Sequence, residues 1–248
     1  MSDDLTLERR DGIAVLTLCA PQRRNALTPA MARAMTEACE EIDADASIGA
    51  VVVAGEGPYF CAGGDRPTLA AAGRDPSDPQ VYRDMGAIYG AFARVGALEP
   101  PTIAAIRGGA VGAGLNLALA TDLRVVADDA KLLSGFLPIG LHPGGGHSAL
   151  LARGVGRETA NAMQLFGATV VGAQAVELGL AWAAVPAADV DATALALAAT
   201  PAADPELARR TARSMRTVAG PPALPWSAAL ELERASQMWS MRRKDLAG

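Results

Sequence analysis

The chain has 248 residues with 50% apolar side chains but only 4% aromatic ones, enough for a sizeable core in one domain or one domain with a small appendage. Its 54 alanines, about a fifth of the sequence, assign much of the packing to small side chains, as in Ala/Gly-rich helical layers. The net charge of −5 argues against nucleic acid or a membrane surface as partner. Cys19, Cys39 and Cys61 are odd in number and far apart, and the chain has two histidines, so neither a disulfide framework nor a zinc site is expected. Residues 1–11 are polar and acidic, without a basic segment leading into an apolar one, and no stretch reaches ~18 apolar residues. A reduced, cytoplasmic protein is the expectation.

Apolar residues at 5–8 and 13–18 flank Asp11-Gly12, a dipeptide suited to a tight hairpin. Thr28 then stands as an N-cap with Pro29 at the first helical position, and Met31, Met35, Ala38 and Ile42 recur at helical spacing. The short β-branched run 50–54 predicts a buried strand. Residues 58–66 form a Gly-rich loop, and the polar stretch 73–79 precedes a helix over 80–98. A strand at 102–106, a helix at 112–120 and a strand at 123–127 follow in close succession, the pattern of parallel strands with crossover helices. A second glycine-dense loop spans 140–146, with helices expected at 148–153, 157–166 and 173–178. From residue 189 the pattern is helical, with breaks at Pro201, Pro205 and Gly220-Pro221-Pro222. A last helix over 225–243 carries Ala228, Leu232, Ala235 and Trp239 on one face. The fold class is therefore α/β, with an α/β core over 1–188 and a small helical C-terminal region over 189–248 assigned to oligomer contacts and site closure.

Two segments concentrate glycine and alanine where a strand gives way to a loop or helix: Phe60-Cys61-Ala62-Gly63-Gly64-Asp65, and the run from Gly108 through Gly112, Ala113, Gly114 and Asn116 to Asp122. Such residues let a backbone approach a ligand closely, and a helix starting near Gly112 offers unpaired N–H groups. Two such segments facing each other would hold a developing oxyanion. Neither dinucleotide nor P-loop fingerprints are present.

In this order, and together with Pro21-Gln22-Arg23-Arg24-Asn25-Ala26-Leu27, Asp122-Leu123-Arg124-Val125-Val126-Ala127 and Gly179-Leu180-Ala181 followed by Val185, these segments resemble the crotonase (enoyl-CoA hydratase/isomerase) superfamily over roughly the whole chain. The resemblance implies a spiral of ββα units, a CoA thioester as small-molecule ligand with coenzyme A entering only as part of the substrate, and homotrimers that often pair into homohexamers. It implies two backbone N–H groups on the thioester carbonyl, mapped to Ala62 and Ala113. The surrounding Ala26, Gly63, Gly64, Asp65 and Gly112, with Arg23, Arg24 and Arg66 near the CoA nucleotide, complete the expected binding set. No metal is implied.

Hydratases of the family activate water with two glutamates, and the resemblance places Asn116 and Phe136 at those positions. Neither exchanges a proton at neutral pH, so hydration is expected to be largely lost. His142 and His147, in a segment bordering the active site in relatives, are the candidate general bases, each set against a solvated surface-loop role. Asp65 is a candidate acid or base whose plainer reading is a helix N-cap. Cys61 is a nucleophile candidate disfavoured by the absence of an adjacent histidine. Met85, Ile88, Tyr89 and Phe92 wall an acyl pocket or belong to the core. Three outcomes stay open: lyase or isomerase chemistry on an enolate, non-catalytic acyl-CoA binding or carriage, and histidine-dependent hydrolysis of a thioester or carbon–carbon bond.

Overall fold

A computed structural model of the chain describes residues 4–218 together with Arg234, Met238, Met241 and Arg242. The helix expected over 225–243, with its face of Ala228, Leu232, Ala235 and Trp239, lies outside the described residues. Strands β1 (Leu5–Arg10) and β2 (Ile13–Leu18) pair antiparallel around Asp11-Gly12. Both turn residues have positive φ, 49° and 75°, the twist that a two-residue hairpin requires. Parallel pairing then adds β3 (Ala50–Gly55), β4 (Thr102–Ile106), β6 (Leu123–Ala127) and β9 (Ala183–Val185) in the order β1-β2-β3-β4-β6-β9. All six residues of β3 are buried, which is why it reads as an unbroken apolar run.

A second, three-stranded sheet contains β5 (Gly109–Val111), β7 (Lys131–Leu133) and β8 (Val170–Val171). The chain visits both sheets in turn: β4 leads to β5 and then helix α4 (Ala113–Ala120), where α1 is Pro29–Ala44, α2 is Arg66–Arg74 and α3 is Pro79–Gly96. β6 leads likewise to β7 and then α5 (His147–Gln164). With β4·β6 and β5·β7 both parallel, this is the expected spiral of ββα turns. Short helix α6 (Gly172–Glu177) precedes β9, and α7 (Val190–Ala202) and α8 (Pro205–Val218) follow.

Thr28 caps α1 as expected, its Oγ1 accepting from the Met31 N–H at 3.1 Å, and Met31, Met35, Ala38 and Ile42 form the buried stripe. The differences from expectation are local. The strands β5, β7 and β8 are not foreseen, because two- or three-residue strands are too short to show a period, and of helix α2 only the N-cap position at Asp65 is. The two helices expected at 148–153 and 157–166 are both present within α5, separated where Gly156 takes φ 74° and ψ 171°. The break expected at Pro201 falls after it: Pro201 sits inside the last turn of α7. Beyond Asp189 the core continues, since Val190, Ala194 and Ala198 of α7 pack into the main apolar cluster against the large sheet.

Candidate active site

The two glycine-rich segments meet. Cys61 and Ala110 form a parallel bridge, and a Cβ on Gly114 would lie 2.3 Å from the Cys61 carbonyl oxygen, so this approach is open only to glycine. Gly63, at φ +98°, is in the same position: its Cβ would meet the Val111 carbonyl at 2.8 Å. Asn25 pins the neighbouring turn, its Oδ1 accepting from the Ala20 N–H and its Nδ2 donating to the carbonyls of Glu56 and Tyr59.

The contact decides which amides are free. The Ala62 N–H donates to the Arg24 carbonyl at 3.0 Å, so the expected role of Ala62 as a donor to ligand is corrected: its amide is already spent on the local turn. Two residues on, Gly64 bridges Leu27 through its neighbours, with Leu27 N–H donating to Gly63 and Asp65 N–H to Leu27. The Gly64 N–H itself has no acceptor among the described residues. Ala113 is the first residue of α4, where an amide has no intrahelical acceptor. Gly64 and Ala113 line one narrow cavity of about 90 Å³. Met85, Ile88 and Tyr89 of α3 form its apolar side, whereas Phe92 is fully buried and meets Tyr89 ring to ring at 6.0 Å in the core.

Three polar side chains from separate elements join at Ser134, which lines the same cavity. Ser134 follows β7, Asn116 lies in α4 and His147 opens α5, with 2%, 1% and 0% of their surface exposed. Ser134 Oγ is 2.7 Å from His147 Nε2, and His147 Nδ1 is 2.7 Å from Asn116 Oδ1. Asn116 Nδ2 donates to the Gly144 carbonyl at 3.0 Å, which turns Oδ1 toward the ring. An amide oxygen only accepts, so Nδ1 carries the proton, and Nε2 is left as acceptor for the Ser134 hydroxyl. Burial holds the His147 pKa down to about 4, so the ring is neutral near pH 7. Phe136, 7% exposed, sets its ring edge-on against the imidazole at 5.0 Å. The surface-loop role weighed for both histidines is thus wrong for His147 and right for His142, which is exposed, bonded through Nδ1 to the Pro143 carbonyl at 2.7 Å, and outside the cavity lining.

The other expected residues divide. Asp65 occupies the N-cap position of α2, yet its carboxylate takes no capping bond; the backbone carbonyl accepts from Leu69 instead. The side chain is buried, with Oδ1 unbonded among the described residues, and does not line the cavity. Cys61 is buried, its Sγ donates to the Asn25 carbonyl at 3.1 Å, and burial pushes its thiol up to about 12, which removes it as a nucleophile at neutral pH. Arg23 is committed to an ion pair with Asp4 and to the Ala26 carbonyl, and Ala26 is buried beneath it. Arg24, over the Tyr59 ring at 5.7 Å, and Arg66, at the start of α2, are exposed. Ser134 was missed from the sequence: a serine near one aligned position carries no signal until the fold brings His147 to it. Among the described residues no group of three or more His, Cys, Asp or Glu could hold a metal, and no helix is long and apolar enough to cross a membrane.

Comparison with known proteins agrees with this architecture. Residues 8–243 match the sequence model of the enoyl-CoA hydratase/isomerase family. The probable enoyl-CoA hydratase EchA14 of Mycobacterium tuberculosis is 42% identical over 179 residues, 72% of this chain and 68% of that protein. The crystal structure of an enoyl-CoA hydratase/isomerase from Xanthobacter autotrophicus Py2 superposes with a TM-score of 0.88 at 29% identity, covering 100% of this chain and 91% of the other. An enoyl-CoA hydratase from Polaromonas sp. JS666 gives 0.81 at 28% identity over 98% and 90%. With the matched model spanning nearly the whole sequence and the spiral of ββα turns present, the chain belongs to the enoyl-CoA hydratase/isomerase family.

Proposed function

We propose that the protein binds an acyl-CoA thioester with the carbonyl oxygen between the N–H groups of Gly64 and Ala113, and stabilises the negative charge that develops on that oxygen. The observation that carries this reading is the pair of unengaged amides, from segments about fifty residues apart, whose residues line one cavity. Donors already fixed before the reaction need no reorganisation as charge builds, and in a water-poor cleft each is worth far more than in solution. Met85, Ile88 and Tyr89 take the acyl chain, and the narrow cavity favours short ones. Arg24 and Arg66 offer guanidinium groups to the CoA phosphates. Arg23, already paired with Asp4, does not take part.

Rapid hydration of a 2-enoyl-CoA is not part of this function. At the positions aligned with the family's glutamates, Asn116 is held by His147 and Gly144 and Phe136 has no proton to exchange. Assembly into a trimer or hexamer belongs to the same reading. It is supported by Phe166 and Trp182, 83% and 64% exposed, which an assembly would cover. Calorimetric titration with butyryl-CoA and crotonyl-CoA tests the function: saturable binding and a raised melting temperature are expected, with little loss of the crotonyl double-bond absorbance. No binding at millimolar thioester would overturn it. Light scattering checks the assembly, which fails if the mass is that of one 25.3 kDa chain.

A further inference from the structure

We propose that Ser134 is a nucleophile, activated by His147 with Asn116 as the positioning residue, and that the protein hydrolyses a short-chain acyl thioester through an acyl-Ser134 intermediate. The proposal rests on the reading that a thioester carbonyl sits at the Gly64 and Ala113 amides.

Three features of the cluster carry it. The first is direction. The Asn116 amide is oriented by its bond to the Gly144 carbonyl, the histidine tautomer by Asn116, and the serine proton by the histidine, so a lone pair on Nε2 faces the Ser134 hydroxyl at 2.7 Å. Nucleophile, base and orienter in hydrogen-bond series are the general requirement for activating a hydroxyl that is unreactive by itself. The second is placement. Ser134 lines the same cavity as Gly64 and Ala113. The Gly112 N–H donates to the carbonyl of Leu133, so the residue before Ser134 is tied to the residue before Ala113. On this proposal a carbonyl held by the Ala113 amide lies in the cavity that Ser134 lines. The third is separation: Ser134, His147 and Asn116 arise from three elements, 13 and 31 residues apart along the two contacts, and meet only through the fold, with Ser134 the member that lines the cavity.

The step balances with water as the only co-reactant. Ser134 Oγ bonds to the thioester carbon as its proton passes to His147 Nε2, and the oxyanion forms against the Gly64 and Ala113 amides. Collapse breaks the C–S bond, and the departing sulfur takes the proton from His147. Water then attacks the acyl ester, giving its proton to His147, which returns it to Ser134 Oγ as the ester bond breaks. The products are a carboxylic acid and free CoA thiol. Burial keeps His147 unprotonated well below neutral pH, so the base is available throughout the physiological range, while its transient cation is opposed by the same burial. Asn116 supplies orientation without charge. Asn116→Asp would place a carboxylate against Nδ1–H and is expected to raise the rate.

The test uses the full-length protein. Free thiol released from acetyl-CoA and butyryl-CoA is followed with a disulfide dye, intact mass is read after acid quench, and labelling is measured with a fluorophosphonate, which reacts with an activated serine without needing CoA. Expected are an acyl adduct and a phosphonate label mapped to Ser134, release that falls at least ~10³-fold in Ser134→Ala and His147→Gln, and a rate that stays level from pH 7 to pH 5. Ser134→Cys, which keeps a side chain on the histidine, should trap the acyl group. Release unchanged in Ser134→Ala, or a wild-type protein that neither labels nor releases thiol, overturns the proposal. Thioester binding without release or label leaves the binding function standing and removes the nucleophile. A label on Ser134 without any thioester binding does the reverse.

Discussion

Two buried polar clusters in this molecule invite comparison, because they solve the same burial problem in opposite ways. Arg209 of α8 is 8% exposed and spends its guanidinium on the end of α1: it donates to the carbonyls of Ile42, Asp43, Asp45 and Ile48 and to Glu99 Oε2. A permanent cation at a helix C-terminus meets both the unpaired carbonyls and the negative end of the dipole. Its fork of donors is filled by protein, and it has nothing left to offer a ligand. The cluster of Ser134, His147 and Asn116 carries no charge near pH 7, is joined by hydrogen bonds in series, and ends in a hydroxyl at a cavity wall. Saturation marks the structural cluster; one exchangeable proton at a cavity marks the chemical one.

The largest effect is expected from breaking the saturated cluster. Arg209→Met strips the end of α1 of its donors and leaves the carbonyls of Ile42, Asp43, Asp45 and Ile48 without that partner, at a cost of about 3–5 kcal/mol, read as a lower urea midpoint, while Glu99 keeps Arg213 and the folded fraction still binds butyryl-CoA. A stability loss under ~1 kcal/mol would mean that the α8 to α1 contact is loose in solution. The converse variant is Ala113→Pro. It removes one oxyanion donor at a helix position where proline is tolerated, so turnover should fall about 10²–10³-fold with little change in melting temperature. Unchanged turnover would move the carbonyl site elsewhere.

Acid separates the clusters next. His147 has its pKa lowered from 6.5 to about 4 in the folded protein. The unfolded chain therefore binds a proton below pH 6.5 that the native state refuses. This contribution leaves stability untouched above pH 6.5 and removes roughly 3 kcal/mol as the pH falls to about 4. In His147→Gln that part of the acid slope should vanish. In Arg209→Met it should persist, and a slope identical in wild type and His147→Gln would contradict the burial of the ring. The smallest effect is at a third polar site, where Thr28 satisfies one amide of α1. Thr28→Ala should cost about 1 kcal/mol in thermal melts and leave thioester affinity alone.

Much of this architecture was legible in the chain. The Asp11-Gly12 hairpin, the Thr28-Pro29 helix start and the apolar runs at β3, β4 and β6 are each decided by neighbours in sequence, through turn dihedrals, capping and side-chain periodicity. The strands of the second sheet were not, because β5, β7 and β8 hold two or three residues each and exist only through their partners. At the site, the glycine pattern located the two segments that line the cavity, but the free amide of the first is that of Gly64, two residues beyond Ala62. Whether the amide of Ala62 or of Gly64 is free depends on the Arg24 carbonyl, almost forty positions away.

The sequence by itself determined the placing of Ala113 at a helix start, since local periodicity and glycine positions set backbone geometry within a few residues, while the family and its spiral of ββα turns were reached through the resemblance of several motifs in order. Only the tertiary structure decided which amides remain unbonded, that His147 is sealed from solvent while His142 is not, and that Ser134 and Asn116 take its two nitrogens. The physical reason is common to all three. A hydrogen bond is chosen by whichever donor and acceptor the packing brings within about 3 Å, and here the chosen partners lie 13 to 38 residues apart in the chain.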